Sequence, residues 1–260
     1  MTTDATLKDA ALVNSLRKEF TFKSSLMLLN AMALTDNSLK KYADEWNKDL
    51  PTSTDLDKVE ADYTVKDGEI LTGISEHALI IPDGVTITLE SAGALDAIIC
   101  QGDAKIILSK GTTNIFDCEE RYGSAIKTQS GKTLTIDGEG ELYVIGGQEG
   151  AGIGGNGHIV INNGTIEAYG GQFGAGIGSE MFSPCGDITI NGGNIKAQGG
   201  DQAAGIGSGQ DGECGNIVIK NTVKEVVAIA GSECDNHIGS GAGGKCGTVT
   251  IEDKTKVFNE

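Results

Sequence analysis

From Tyr63 onward, apolar and polar residues alternate in runs of only three to five positions, and glycine, asparagine or aspartate closes each run. Runs such as Val85-Thr-Ile-Thr-Leu89 and Thr133-Leu-Thr-Ile136 have the two-residue period of strands that bury one face. The runs fall into three columns when the chain is aligned on its own repeats. The first column holds Ile98, Ile126, Ile153, Ile177, Ile206 and Ile238. The second pairs Leu134 with Ile136, Ile159 with Ile161, Ile188 with Ile190, Ile217 with Ile219, and Val249 with Ile251. The third pairs Leu142 with Val144, Ile166 with Ala168, Ile195 with Ala197, and Val226 with Ala228. The phrase Ala-Gly-Ile-Gly marks the first column at 151–154, 175–178 and 204–207, and the repeat length is roughly 24 to 32 residues. Strands at that spacing predict an all-β fold, a parallel β-helix of pectate-lyase-like form over residues 65–260, with three short strands per coil. The general preference of parallel crossovers makes a right-handed coil the expectation.

The period is different at the start of the chain. Leu7, Ala10, Val13, Leu16 and Phe20 keep helical spacing, and Leu39, Tyr42, Ala43, Trp46 and Leu50 form a second stripe opposite Lys40, Lys41 and Glu45. Pro51 and the Thr-Ser-Thr-Asp run after it predict the end of this short α-helical segment, leaving 51–64 as a linker. Some fifty residues in short helices do not readily bury a core alone, so residues 1–50 are expected to cap the solenoid or to dock on a partner or a second copy. Leu39, Tyr42 and Trp46 would form the docking face.

Composition narrows the picture. Thirty-nine glycines beside three prolines, with 38% hydrophobic residues, fit turns in a folded chain better than a disordered linker. The net charge is −17, and residues 61–260 carry 27 acids against 12 bases, so nucleic acid is not an expected partner. The most apolar stretch, Leu26 to Leu34, is interrupted by Asn30 and is far short of the ~20 residues that span a bilayer. It follows a preamble containing Asp4, Asp9 and Glu19, too acidic and too long for an ordinary signal peptide, although Ala31-Met32-Ala33 has the form of a cleavage site.

The succession Gly-Lys-Thr-Leu-Thr-Ile (131–136), Gly-Gly, Ala-Gly-Ile-Gly and Cys-Gly-x-Ile-x-Ile resembles the Ala-Gly-Ile-Gly-rich β-helix domains of bacterial cell-surface proteins, neighbours of the carbohydrate-binding β-helix domains. The resemblance covers roughly residues 65–260. It implies an extracellular or cell-surface setting and polysaccharide or cell-surface glycan as a partner. Residues 1–60 have no counterpart in it, which keeps a second setting open: a structural component of a virion or phage tail.

Candidate chemistry is sparse. Cys185, Cys214 and Cys246 occupy one place in consecutive coils, each followed by glycine, and in-register neighbours point in parallel, a poor geometry for disulfides. They are expected to form a structural ladder of buried thiols. A pairing such as Cys100 with Cys118 stays open. No metal is expected, since a column lacks tetrahedral corners, and no cofactor, although the acidic loops could hold calcium. Polysaccharide-cleaving enzymes of this fold need converging carboxylates or a base beside an acidic cluster. Here Glu149, Glu180, Asp187, Asp201, Asp211, Glu213, Glu233 and Asp235 are scattered, Arg121 lies beside Glu119 and Glu120 as a surface pair, and His77, His158 and His237 fall in different coils. No catalytic residue is expected.

The outer surface carries more information. The outward positions of the third column read Tyr143 and Ile145, Glu167 and Tyr169, Lys196 and Gln198, then Val227 and Ile229. Tyr143, Ile145, Tyr169, Val227 and Ile229 form a large apolar strip on a face that should meet water, fit for sugar stacking, for a subunit interface, or as a bed for the N-terminal helices. The outward second column reads Thr88, Thr135, Val160, Thr189, Val218 and Thr250, too sparse for a regular threonine array. Specificity is expected in the inserts Glu180 to Pro184 and Gln210 to Glu213. The expected function is non-catalytic attachment or assembly by a rigid repeat, as a homo-oligomer or with a structural partner through residues 1–50.

Overall fold

Each short alternating run buries one face, and in the computed structural model, which describes residues 52–259, the runs stack in parallel, coil upon coil. The helical segment expected at 1–50, with Leu39, Tyr42 and Trp46, lies outside the described residues. The first sheet stacks eight strands, from Tyr63–Thr64 to Ile238–Gly239. Its isoleucine row runs in register through Ile98, Ile126, Ile153, Ile177, Ile206 and Ile238, and all but the last are completely buried. Each contributes about 2 kcal/mol by leaving water. Second-column pairs such as Ile159 and Ile161, and third-column pairs such as Ile166 and Ala168, stack on their counterparts in the same way.

Between the first and second columns of this arrangement the coils approach closely. Gly178 has φ 143°, and a Cβ there would fall inside the van der Waals radius of the Gly207 carbonyl oxygen. The Ala-Gly-Ile-Gly phrase is therefore scaffold: its isoleucine is a core rung and its second glycine lets the next coil in.

Three features depart from the sequence expectation. The second and third columns belong to one 15-stranded sheet, because Val85–Ala94 runs around the corner, pairing first with Ala104–Leu108 and then with Ile115–Phe116. Ser91 at φ 59° and a register shift between Leu71 and Gly73 make that bend. A fourth, two-residue ladder joins Pro184–Cys185, Glu213–Cys214 and Lys245–Cys246, elements too short to show any period. The segment expected as a linker at 51–64 contributes to the solenoid: Ser53–Asp55 pairs with Glu69–Ser75, and the turn Leu56–Lys58 buries Leu56. Completely buried Glu69 pins this end, accepting hydrogen bonds from the Tyr63 hydroxyl at 2.7 Å, the Lys66 amide at 2.8 Å and the Thr54 hydroxyl.

One outward row also needs correction. On the second column it reads Thr86, Lys105, Thr135, Val160, Thr189, Val218 and Thr250, while Thr88 pairs with Ile107. The ten-residue strand Val85–Ala94 contains no internal punctuation before its bend, so a two-residue slip leaves its alternation intact. No helix among the described residues is long and apolar enough to cross a membrane.

Candidate binding surface

The third column presents two outward rows. Tyr143, Glu167, Lys196 and Val227 are in register along one, and Ile145, Tyr169, Gln198 and Ile229 along the other. All five apolar members point outward and are half-buried by their neighbours. The Tyr143 and Tyr169 rings lie diagonally across adjacent coils, centroids 5.2 Å apart and tilted by 44°. Lys196 Nζ stands 5.6 Å from the centre of the Tyr169 ring, and the Tyr169 hydroxyl donates to Glu167 Oε2 at 2.7 Å. Partial burial, reinforced by that bond to Glu167, raises the Tyr169 pKa, so the phenol stays protonated and keeps donating.

The first of these rows is longer than the sequence pattern indicates. Ile74, Gly93 and Ile115 lead into Tyr143, and Phe258 follows Val227. Ile74, Ile115 and Phe258 are 61%, 51% and 48% exposed, so the row runs over eight coils, apolar at five of them and interrupted by Gly93, Glu167 and Lys196. Two features hide this extension in the sequence: the bend around Ser91 and Asn114, a polar residue where the third column otherwise carries aliphatic side chains.

At the corner after the third column, the strip borders a cleft of about 450 Å³. The loop Glu119-Glu120-Arg121-Tyr122 forms one wall, and Ile145, Gly146, Gln148, Gly170, Gly171 and Gln172 form the other. Both glutamines follow a Gly-Gly pair at equivalent places in successive coils, a repeat that is visible in the sequence but carries no hydrophobic signal. Tyr122 is 77% exposed. Arg121 does not pair with its neighbours Glu119 and Glu120; its guanidinium reaches Asp96 at 3.6 Å.

Several residues singled out for chemistry hold the scaffold together. Asp103, His158, Asp187 and Asn216 share one corner of the solenoid, with Thr133 in the coil between the first two, and accept the backbone N–H of Thr133, Asp187, Asn216 and Thr248 respectively, at 2.7 to 3.0 Å. His237 Nδ1 likewise accepts the Ala230 N–H at 3.2 Å. Glu180, in an insert expected to carry specificity, turns inward across two coils to accept the Ser124 N–H at 2.9 Å and to meet Lys127 Nζ at 3.1 Å. The structure sets Cys185, Cys214 and Cys246 in register as free thiols, each contacting a carbonyl of the preceding coil at 3.6 to 4.0 Å. Cys100 and Cys118 are buried free thiols. Among the described residues no group of three or more His, Cys, Asp or Glu side chains is arranged to hold a metal ion.

The in-register coils have a counterpart among known families. Residues 159–179 and 188–210 match the family model of a β-helix repeat. The fold is a parallel β-helix. Each matched segment begins at the second strand of a coil and passes through the third, so both contribute outward positions to the strip: Glu167 and Tyr169 from one, Lys196 and Gln198 from the other. Comparison with curated proteins and with solved structures gives no match.

Proposed function

We propose that this β-helix is a non-catalytic attachment protein, acting outside the cell or on a virion, that seats an extended polysaccharide on the outer face of its third column. The observation that carries this is the pair Tyr143 and Tyr169: two aromatic rings on adjacent coils, the second engaged by Glu167 and Lys196, on a strip of outward apolar residues. Coils repeat at about 4.8 Å, comparable with the length of one pyranose unit, so a sugar chain lying along the stack would meet equivalent positions in turn. Aromatic faces supply the apolar contact, and Glu167, Lys196 and Gln198 supply hydrogen bonds at the same level. The scatter of the acids, several of which bracket backbone amides, supports a role without catalysis.

A glycan array should show saturable binding that Tyr143→Ala combined with Tyr169→Ala reduces at least tenfold, since each lost stacking contact is worth about 1 kcal/mol. Unchanged binding in that double variant would refute the assignment of the surface, and turnover of polygalacturonate would refute the absence of catalysis. A second reading follows from Ile74, Ile115 and Phe258: an apolar row of this length also suits a subunit interface in a structural assembly such as a phage tail. Sedimentation separates the two, because Ile115→Glu with Val227→Glu would dissociate an assembly built on this face.

A further inference from the structure

The corner cleft differs from the strip in chemistry. Its polar side chains are idle: among the described residues Glu119, Glu120, Gln148 and Gln172 make no side-chain hydrogen bond or ion pair, and Tyr122 makes none through its hydroxyl. Idle exposed acids are common on an acidic protein, but here two carboxylates, two amides and a 77% exposed aromatic ring line one concavity. Among the described residues the only cation lining the cleft, Arg121, is turned toward Asp96. A ligand entering would therefore meet acceptors of negative charge, an aromatic face, and amides that both donate and accept.

Resting on the attachment reading above, we infer that this cleft is a subsite for an amino sugar carrying a free ammonium group. The ammonium is placed by Glu119 and Glu120 and by the face of Tyr122, which attracts cations through its ring quadrupole. Hydroxyls are met by the Gln148 and Gln172 amides, and the apolar face of the sugar ring lies against Ile145. The volume of about 450 Å³ falls in the range of small-ligand sites. The protein as a whole favours the same class: a net charge of −17 attracts a polycation and repels a polyuronate. Polysaccharide of this class would run from the Tyr143 and Tyr169 rings into the cleft, since Ile145 belongs to both surfaces.

The test uses the full chain and three oligosaccharide probes in calorimetry: glucosamine oligomers, their N-acetylated counterparts and oligogalacturonate. Glucosamine oligomers are expected to bind on the order of tenfold tighter than the N-acetylated form, with affinity falling as salt rises. Glu119→Gln with Glu120→Gln should remove that preference and most of the salt dependence, and Tyr122→Ala should weaken glucosamine binding about tenfold. All three residues are exposed, so unchanged thermal unfolding will show that the variants are folded. Equal affinity for the two hexosamines, or an unaltered preference in the Glu119/Glu120 variant, overturns the ammonium subsite while leaving the tyrosine platform standing. Absence of binding to any of the probes and across the glycan array overturns both.

Discussion

Cys100 is completely enclosed by the core, and that burial pushes its thiol up to about 12. Cys118 is held at about 12, first by burial and then by the charges of Asp96 and Asp117. The neighbouring in-register thiol raises Cys214 (from Cys185) and Cys246 (from Cys214), and burial adds to both. A thiol whose pKa rises on folding holds its proton more tightly in the folded state. Its contribution to stability is full below the unfolded value near 9.0 and is lost as pH rises toward 12. Denaturant unfolding should thus show no thiol-linked loss up to pH 9, then a loss of about 2 kcal/mol from Cys100 by pH 10.5. Cys100→Ala should flatten that limb. An undiminished alkaline loss in Cys100→Ala would place its origin elsewhere. Labelling with iodoacetamide should reach Cys234 first, because it sits partly exposed on a loop, its sulfur 3.6 Å from the Asn236 carbonyl.

Among the strands, the bend in Val85–Ala94 has one consequence that hydrophobicity alone would misjudge. The bend takes the Ala92 N–H out of the regular ladder, and the side chain of completely buried Asn114 accepts it at 2.9 Å while donating to the Glu141 carbonyl at 3.0 Å. Asn114→Leu restores the aliphatic pattern of the third column yet leaves a buried N–H unpaired. The variant should lose about 2 kcal/mol in urea unfolding, and a gain in stability would show that the column tolerates the orphaned amide. The three columns were legible because each rung repeats an apolar residue at a fixed offset, as in Ile153, Ile177 and Ile206. Tyr143 and Tyr169 were legible for the same reason, one residue out of phase with the core. What escaped was held by polar contacts: Asn114 at the bend, Glu69 beside the first described strands, and the corner series Asp103, His158, Asp187 and Asn216. Asn114 and the corner series have partners about one coil away, Glu69 has nearer ones, and none has a period of its own within a strand. The cleft was also hidden, since Tyr122 lies in an irregular loop and gains meaning only beside Gln148 and Gln172.

Across the whole chain, a large net charge is set against a handful of exposed ion pairs among the described residues. Lys110 with Glu139 at 2.7 Å, Lys132 with Asp83 at 3.0 Å and Lys220 with Glu252 at 2.8 Å join neighbouring or next-neighbouring coils. These bonds hold the Asp83, Glu139 and Glu252 carboxylates below their ordinary values, so their stabilisation is present above pH 4.5 and fades as pH falls through the lowered values. Exposed pairs of this kind are weakened by salt and contribute little individually. The opposing effect is larger in number: residues 61–260 carry an excess of 15 acids, stacked on coils only about 4.8 Å apart. At 0.01 M salt the screening length is about 30 Å and every coil feels several like-charged neighbours; at 0.1 M it shrinks to about 10 Å. Relief of repulsion should therefore outweigh the loss of ion pairs, and the thermal midpoint at pH 7 should rise between these two concentrations of sodium chloride. Near the isoelectric point of about 4.5 the repulsion is already gone, so the same addition of salt should leave the midpoint unchanged or lower it. A midpoint that falls with salt at pH 7 would mean that the inter-coil pairs, and not the net charge, set the electrostatic stability of the solenoid.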